Sequence, residues 1–384
     1  ITSGGYGVSG ITGLVNGDSY NAGDVKVTVN SDGALTGNTE GKVTNNAGEY
    51  TWSGTATTDN AGLGKNYNLV VTANGKSKVE KATLNVGLSD VYRTYGNAKI
   101  TNGSYSAGNI TGLVNGDNYD ASDFKVKVNS DGAIAGVTGD RVTNDHGDYT
   151  WSGTVEVANA GLNKNYDLVV NGKANSYVGK AQLSVSLNDV VRTYGNATIT
   201  SGGYGVSGIT GLVNGDGYNA GDVKVTVTGD GAIAGVSGSR VTNNAGNYEW
   251  TGSASTTNAG LDKNYNLVVT ANGKSKVEKA TLNVGLNDVV RTYGNATITS
   301  GGYSAGNITG LVNGDSYDAS AITVNKTSDG AIAGVSGSKV TNDAGDYTWS
   351  GTATTDNAGL GKNYNLVVTA NGKSKVEKAT LNVG

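Results

Sequence analysis

The four tryptophans of this chain, Trp52, Trp151, Trp250 and Trp349, are separated by 99 residues at each step. Each stands in a version of Asp148-Tyr149-Thr150-Trp151-Ser152-Gly153, and two further motifs keep the same step. Gly-Leu-Val-Asn-Gly-Asp begins at Gly13, Gly112, Gly211 and Gly310; Arg-Thr-Tyr-Gly-Asn begins at Arg93, Arg192 and Arg291. A fixed period of this length restricts the chain to a tandem array, because each copy must bury its own apolar face or share it with a neighbour. A β-helix would show a shorter sub-period, and none is visible, so one folded domain per period is the reading. Single cores stop growing near roughly 250–300 residues, which also argues for division of a 384-residue chain.

Ile1 aligns with Ile100, Ile199 and Ile298, which phases the periods as 1–87, 88–186, 187–285 and 286–384, the first being 12 residues short. The residues thus read as an interior piece of a longer chain. Residues 50–87 are identical to 347–384, so recurrence here reflects recent copying.

Within a period the pattern is that of strands. Phe124, Val126 and Val128 alternate with charge, as a half-buried strand requires; the matching positions in the last period are Ile322, Val324 and Lys326, so Lys326 must lie at a rim or snorkel outward. Val91–Tyr95 reads as the opening strand, 100–112 as a broken one, and Val137–Val142 as a short one after the Asp131-Gly132 turn. Asn371-Gly372, between Tyr364–Val368 and Lys375–Val383, is the strongest hairpin signal. In the second period the Asn-Gly comes two places early, at Asn171-Gly172, so that connection should shift or lengthen. Lys81–Val86 reads as the closing strand, running with almost no linker into the next period. Asn60–Tyr67 supports at most a turn of helix. The fold class is therefore all-β: four tandem sandwich-like (Ig-like) domains in an extended, semi-rigid rod on the order of 150 Å long, with β-grasp-like units as the alternative. Tyr50, Tyr149, Tyr248 and Tyr347 share a strand face with the tryptophans, and the eight aromatics form the expected structural core.

Composition excludes several function classes. Twenty-eight Lys and Arg against 32 Asp and Glu leave a net charge of −4 with no basic block for nucleic acid. No apolar run reaches the roughly 20 residues that span a bilayer. Without Cys there is no disulfide, thiol nucleophile or thiolate metal site. His146 is the single histidine and stands where Ala47, Ala245 and Ala344 stand, so it reads as a loop substitution. Asp18, Asp117, Asp216 and Asp315 read as turn formers. Asp90, Asp189 and Asp288 lie near the period boundaries, where calcium at domain junctions is the one metal hypothesis; no other cofactor is indicated. Glu80, Glu278 and Glu377 sit among lysines, and Gly179 replaces them in the second period, which argues against a Lys–Asn crosslink and for charged guards on a sheet edge. No acid–base or nucleophile set recurs, so the chain reads as a non-enzyme.

The order Tyr95-Gly96-Asn97-Ala98, Gly112 to Asp117, Ala245-Gly246-Asn247-Tyr248, Asn165-Tyr166 and Lys180-Ala181-Gln182-Leu183 resembles the MBG-type (YGX) repeats of large bacterial exoproteins, including adhesins. The resemblance implies structural stalk or fibre repeats of a secreted, surface-displayed bacterial protein, and it implies no catalytic residues. The alternative is a set of multivalent modules binding carbohydrate or host protein. Expected partners are neighbouring repeats, other copies of the chain in a homotypic fibre, and a glycan or host surface.

Overall fold

The computed structural model describes residues 1–38 and 41–383, and the chain divides into two compact units, Ile1–Lys180 and Ala181–Gly384. In the first unit one complete bead runs from strand β1 (Ala82–Leu88) through β2 (Val91–Thr94), β3 (Asn97–Gly103), β4 (Ala107–Thr111), β5 (Phe124–Asp131) and β6 (Gly147–Val157). Helix α1 (Ala160–Asn165) and strands β7 (Tyr166–Val170) and β8 (Ala174–Gly179) complete it. The strands form two sheets of a β-sandwich, ordered β7-β1-β4 and β3-β2-β8-β6-β5. β1 pairs in parallel with β7 and antiparallel with β4. β2 pairs in parallel with β8, and β8 antiparallel with β6. Leu84 and Val86 of β1 pack on Phe124, Leu162 and Tyr166, while Val91, Trp151 and Ala174 form a second cluster.

The second unit repeats this arrangement twice. Its three-stranded sheets are built around Ala181–Leu187 and Ala280–Leu286, and its five-stranded sheets around Gly273–Glu278 and Gly372–Glu377.

Strand pairing changes the phase of the repeat. Ala82–Leu88, read above as a closing strand, opens the following bead, because its partners Thr111 and Tyr166 lie downstream. Beads thus span 82–180, 181–279 and 280–378 rather than starting at 88, 187 and 286, and the break between compact units falls at 180/181. The pattern of Ala82, Leu84 and Val86 fits either phase; only pairing with residues more than 20 positions away decides.

Three local expectations are also corrected. The Asn-Gly connection is not a hairpin: Tyr364–Ala370 pairs with Ala280–Leu286 in one sheet, whereas Gly372–Glu377 pairs with Val289–Thr292 and Gly345–Thr354 in the other. The chain crosses between sheets there. Gly372 is needed for space, since a Cβ would lie 2.1 Å from Trp349 Nε1 and 2.5 Å from the Asn287 carbonyl. In the first complete bead Ala174 holds this place, and the crossing segment lengthens from the single Asn371 to residues 171–173. Residues 137–142 form no strand but a looped segment with Gly136 and Gly139 at φ of 73° and 64°. Each bead carries a six-residue helix where only a turn is expected, capped in α1 by Asn159, whose side chain accepts from the Gly161 and Leu162 N–H groups. Lys326 is exposed and lays its ammonium 5.1 Å from the Tyr303 ring centre.

Among the described residues before Ala82, the strands Val25–Asp32, Gly48–Thr58 and Gly75–Val79 form one three-stranded sheet. Residues 8–12 and 67–71, the counterparts of β4 and β7, are not in strands.

Candidate functional site at the repeat junctions

Two sets of contacts recur along the array, those that hold a bead together and those that fix it to its neighbour. Inside the bead, Trp151, Trp250 and Trp349 are fully buried, and each indole N–H donates to a carbonyl at the start of its own bead: Ser89, Asn188 and Asn287, at 2.8–2.9 Å. Trp52 is half-buried. The tyrosines assigned to the core with them lie at its edge, Tyr248 packing against the cluster that holds Tyr194 and Val277. Tyr50, Tyr149, Tyr248 and Tyr347 are half-buried, and Tyr149 lies over Gly132 with its hydroxyl on the Asp145 carbonyl. The aromatic partner of each tryptophan is instead Tyr6, Tyr105, Tyr204 or Tyr303, packed edge-on at 4.7–5.0 Å.

Beside the pairs of Trp151, Trp250 and Trp349 sits a buried ionic cluster that the sequence reading missed. Arg93 Nη1 is 2.9 Å from Asp131 Oδ2, both side chains being 2% exposed. The guanidinium also donates to the Ala98 carbonyl, Ser176 Oγ and Tyr105 Oη. Asp131 accepts from Tyr105 and from the Ala133 N–H. The same set recurs as Arg192, Asp230, Tyr204 and Ser275, and as Arg291, Asp329, Tyr303 and Ser374. Burial opposes ionisation of Asp131, but the hydrogen bonds from Tyr105, Ser176 and Ala133 and the Arg93 charge outweigh it and hold the carboxyl below the usual range. Burial and the neighbouring carboxylate push the Tyr105 hydroxyl up. Such a cluster is a fully satisfied polar core element, costly to break from one side.

The junction is built from the Gly-Leu-Val-Asn-Gly-Asp motif. Asn115 and Gly116 have φ of 58° and 71°, and the Asp117 N–H returns to the Val114 carbonyl at 3.0 Å, a type I′ turn. Tyr166, at the helix C-cap, holds it: its hydroxyl accepts from the Val114 N–H at 2.9 Å and reaches Asp117 at 3.0 Å. The αL asparagine then points its amide at the preceding bead. Asn115 Oδ1 accepts from Val43 N–H at 2.9 Å, and its Nδ2 donates to the Thr44 carbonyl at 3.2 Å. Asn165, ending α1, accepts from the Ala47 N–H at 2.9 Å.

In the second unit the same contacts join residues 181–279 to 280–378. Asn313 accepts from Val241 at 2.6 Å and donates to the Thr242 carbonyl at 2.8 Å; Asn363 accepts from Ala245 at 2.9 Å. Here the Tyr-Gly motif adds a plug. Tyr194 meets the Tyr364 ring at 5.5 Å and bonds Asp315 at 2.8 Å, and Gly195 (φ 75°) lies so close to Val312 that a Cβ would overlap it. One hydrophobic cluster accordingly contains both Tyr194 and Val277 of one bead and Leu282, Val284 and Tyr364 of the next. Asn313 is buried, whereas Asn115 is half-exposed.

The remaining candidates are placed plainly. Asp18, Asp117, Asp216 and Asp315 each accept from a tyrosine at the end of their bead's helix. Asp90, Asp189 and Asp288 lie inside beads, not at junctions, and accept backbone N–H groups from Asn175, Lys274 and Lys373 at 2.8–2.9 Å. Those bonds stitch β2 to the start of β8. Among the described residues no three His, Asp or Glu converge as metal ligands would. Glu80, Glu278 and Glu377 are exposed and pair with Lys78, Lys276 and Lys375 two residues earlier, so none is the buried acid a crosslink needs. His146 is exposed in the loop before β6.

These features define a tandem array of all-β sandwich repeats with built junctions. No family model matches the chain, and no curated protein matches it. Among solved structures, Drosophila N-cadherin EC1-4 aligns over 97% of this chain and 95% of its own at 10% identity and a TM-score of 0.22. Drosophila N-cadherin EC1-3 aligns over 76% and 98%, at 10% identity and 0.19. The fold assignment rests on the strand pairing described above.

Proposed function

We propose that this array is a stalk or fibre segment of a secreted bacterial surface protein, in which the repeats transmit tension rather than bind a substrate. The observation that carries this reading is the parallel pairing of β2 with β8. Strands next to the entrance and exit of the bead lie side by side and run the same way, so the chain enters at one end and leaves at the other. Tension then loads their hydrogen bonds together, in shear, instead of opening them one by one. Single-residue connections such as Lys279, between Gly273–Glu278 and Ala280–Leu286, and the asparagine clamps limit slack between beads. The secreted bacterial setting follows from the resemblance to MBG-type repeats.

A binding module needs a surface that recurs. Tyr92 and Tyr177 stack at 4.6 Å on the exposed face of one bead, but Val191 and Lys276, and Val290 and Lys375, hold those places in the next two. Glycan and matrix-protein arrays probed with the 384-residue chain test the choice. The stalk reading expects no saturable binding; saturable binding lost in Y92A/Y177A would replace it with a ligand module.

A further inference from the structure

The turn that presents each junction clamp is an Asn-Gly pair. Asn115 and Gly116 stand at φ of 58° and 71°, Asn313 and Gly314 at 62° and 75°, and two successive left-handed positions select this dipeptide. At the second junction the glycine is also required for space, since a Cβ on Gly314 would lie 2.0 Å from Ser239 Oγ of the preceding bead. The clamp thus depends on a dipeptide with a reactivity of its own. Glycine has no Cβ to shield its nitrogen, and that nitrogen can attack the side-chain carbon of the asparagine before it.

Whether attack occurs depends on where the side chain is held. Asn313 is buried, and both ends of its amide are tied to the preceding bead. Its Oδ1 accepts from the Val241 N–H at 2.6 Å, and its Nδ2 donates to the Thr242 carbonyl at 2.8 Å and to Thr242 Oγ1 at 3.3 Å. Asn115 is half-exposed, with the same ties to Val43 and Thr44 at 2.9–3.2 Å. In Asn272-Gly273 and Asn371-Gly372 it is the glycine that is fixed: each is paired in a strand with a tryptophan whose indole fills the space a Cβ would need. Asn171-Gly172 has none of these restraints. It is exposed in the connection 171–173, nothing lies within 4 Å of the Cβ position of Gly172, and the Asn171 amide reaches Asn85 Oδ1 at 3.4 Å.

We propose that Asn115-Gly116 and Asn313-Gly314 are modification sites gated by their own junctions. With the junction closed, the amide stays on the neighbouring bead; with it open, the Gly314 nitrogen attacks Asn313 Cγ. The new N–Cγ bond closes a cyclic imide as the Cγ–Nδ2 bond breaks, and the glycine's proton leaves with ammonia. Water then opens the ring at Cγ to give aspartate, or at the asparagine's main-chain carbonyl to give isoaspartate, whose backbone runs through Cγ. Either product lacks the donor that met the Thr242 carbonyl. Each also adds a negative charge to the turn that holds Asp315, which already pairs with Arg240 at 3.9 Å. Isoaspartate further lengthens a turn whose Gly314 has no room against Ser239. A junction that reacts while open therefore does not close again, and the array keeps a one-way chemical record of opening. The inference rests on the clamp geometry and not on the stalk reading.

Peptide mapping of the 384-residue chain, incubated at neutral pH with and without urea, tests it by following the aspartate and isoaspartate forms of each pair. Asn171 is expected to convert at nearly the same rate folded and unfolded. Asn313 is expected to convert about 30-fold more slowly in the folded chain, the factor that two net hydrogen bonds supply, with Asn115 between the two. Two variants open the junction from the preceding bead. Tyr194→Ser removes the bond to Asp315, and Ser239→Leu, at an exposed loop position, wedges against Gly314. In both, the Asn313 rate is expected to rise in step with the loss of amide protection at Val241, while Asn371, in the same bead as Asn313, stays slow. Chain converted at Asn313, separated by its added charge, is expected to have lost protection at Val241. Equal rates at Asn313 and Asn171 in the folded chain, an Asn313 rate that does not follow exchange at Val241, or converted chain with full protection there would each overturn the proposal. None of these outcomes bears on how a bead resists tension.

Discussion

Replacing Asn313 by glycine separates the junction clamp from the turn that presents it. Asn313 sits at φ 62°, a conformation glycine adopts freely, so the Val312–Asp315 turn survives and only the amide is lost. That amide makes two short bonds to the preceding bead, 2.6 Å from Val241 N and 2.8 Å to the Thr242 carbonyl. At about 1 kcal/mol for each, the local coupling should fall by about 2 kcal/mol, a drop of roughly 30-fold in amide protection at Val241. Alanine at the same place should cost about 1 kcal/mol more, because an L-residue is strained there. Native-state hydrogen exchange on the whole chain reads this directly. Val241 and Thr242 should lose protection while the buried strands Gly246–Thr256 and Gly345–Thr354 keep theirs. Asn115→Gly, at the more exposed junction, should show a smaller loss. Unchanged protection at Val241 in N313G would refute the claim that these asparagines fasten bead to bead.

Other consequences follow from the bead interior. Arg291→Met leaves Asp329 buried beside Ser374 and Tyr303 without its counter-charge and should cost about 3–5 kcal/mol in urea unfolding; adding Asp329→Asn should recover part of it. Asp131, Asp230 and Asp329 all have carboxyl pKa values lowered in the fold. Their contribution is therefore complete above the unfolded value near about 3.9 and is lost as pH falls through the lower folded values. Melting temperature should thus hold between about pH 7 and 5 and drop below about 4, and a flat profile down to strong acid would contradict the cluster's role. Gly372→Ala should displace the Trp349 indole from the Asn287 carbonyl and cost about 1–3 kcal/mol, seen as a change in tryptophan emission, with partial rescue when the longer 171–173 connection accompanies it.

The 99-residue step made the number and class of repeats legible, because copying preserves spacing whatever the fold. Alternation located β5 and β6, but not their partners. The phase of the repeat was hidden because Ala82, Leu84 and Val86 alternate equally well whether their strand closes one bead or opens the next; the decision lies in parallel pairing with Tyr166–Val170, more than 80 residues away. Asn371-Gly372 misleads for a related reason. Its glycine makes room for an indole rather than for a tight turn. Tyr149 shares the inward face with Trp151, yet it lies over the Asp131-Gly132 turn, and the ring that meets the indole comes from Tyr105, far back in sequence. The arginine cluster was least legible, since arginine is a surface residue by default and only its fixed place in Arg-Thr-Tyr-Gly-Asn marked it. Tyr194-Gly195 of that motif and the αL Asn313 of Gly-Leu-Val-Asn-Gly-Asp act together at the junction of residues 181–279 with 280–378, a role that appears only when two beads are seen together.

Stretching single molecules of the 384-residue chain from its two ends tests the central claim most directly. Three complete beads with shear-loaded strands should give three force peaks, each followed by the same gain in contour length. Ninety-nine residues at about 3.3–3.6 Å, less the length of a folded bead, gives roughly 300 Å per step. Smooth extension without peaks, or steps that do not correspond to one 99-residue period, would contradict an array of independent load-bearing beads.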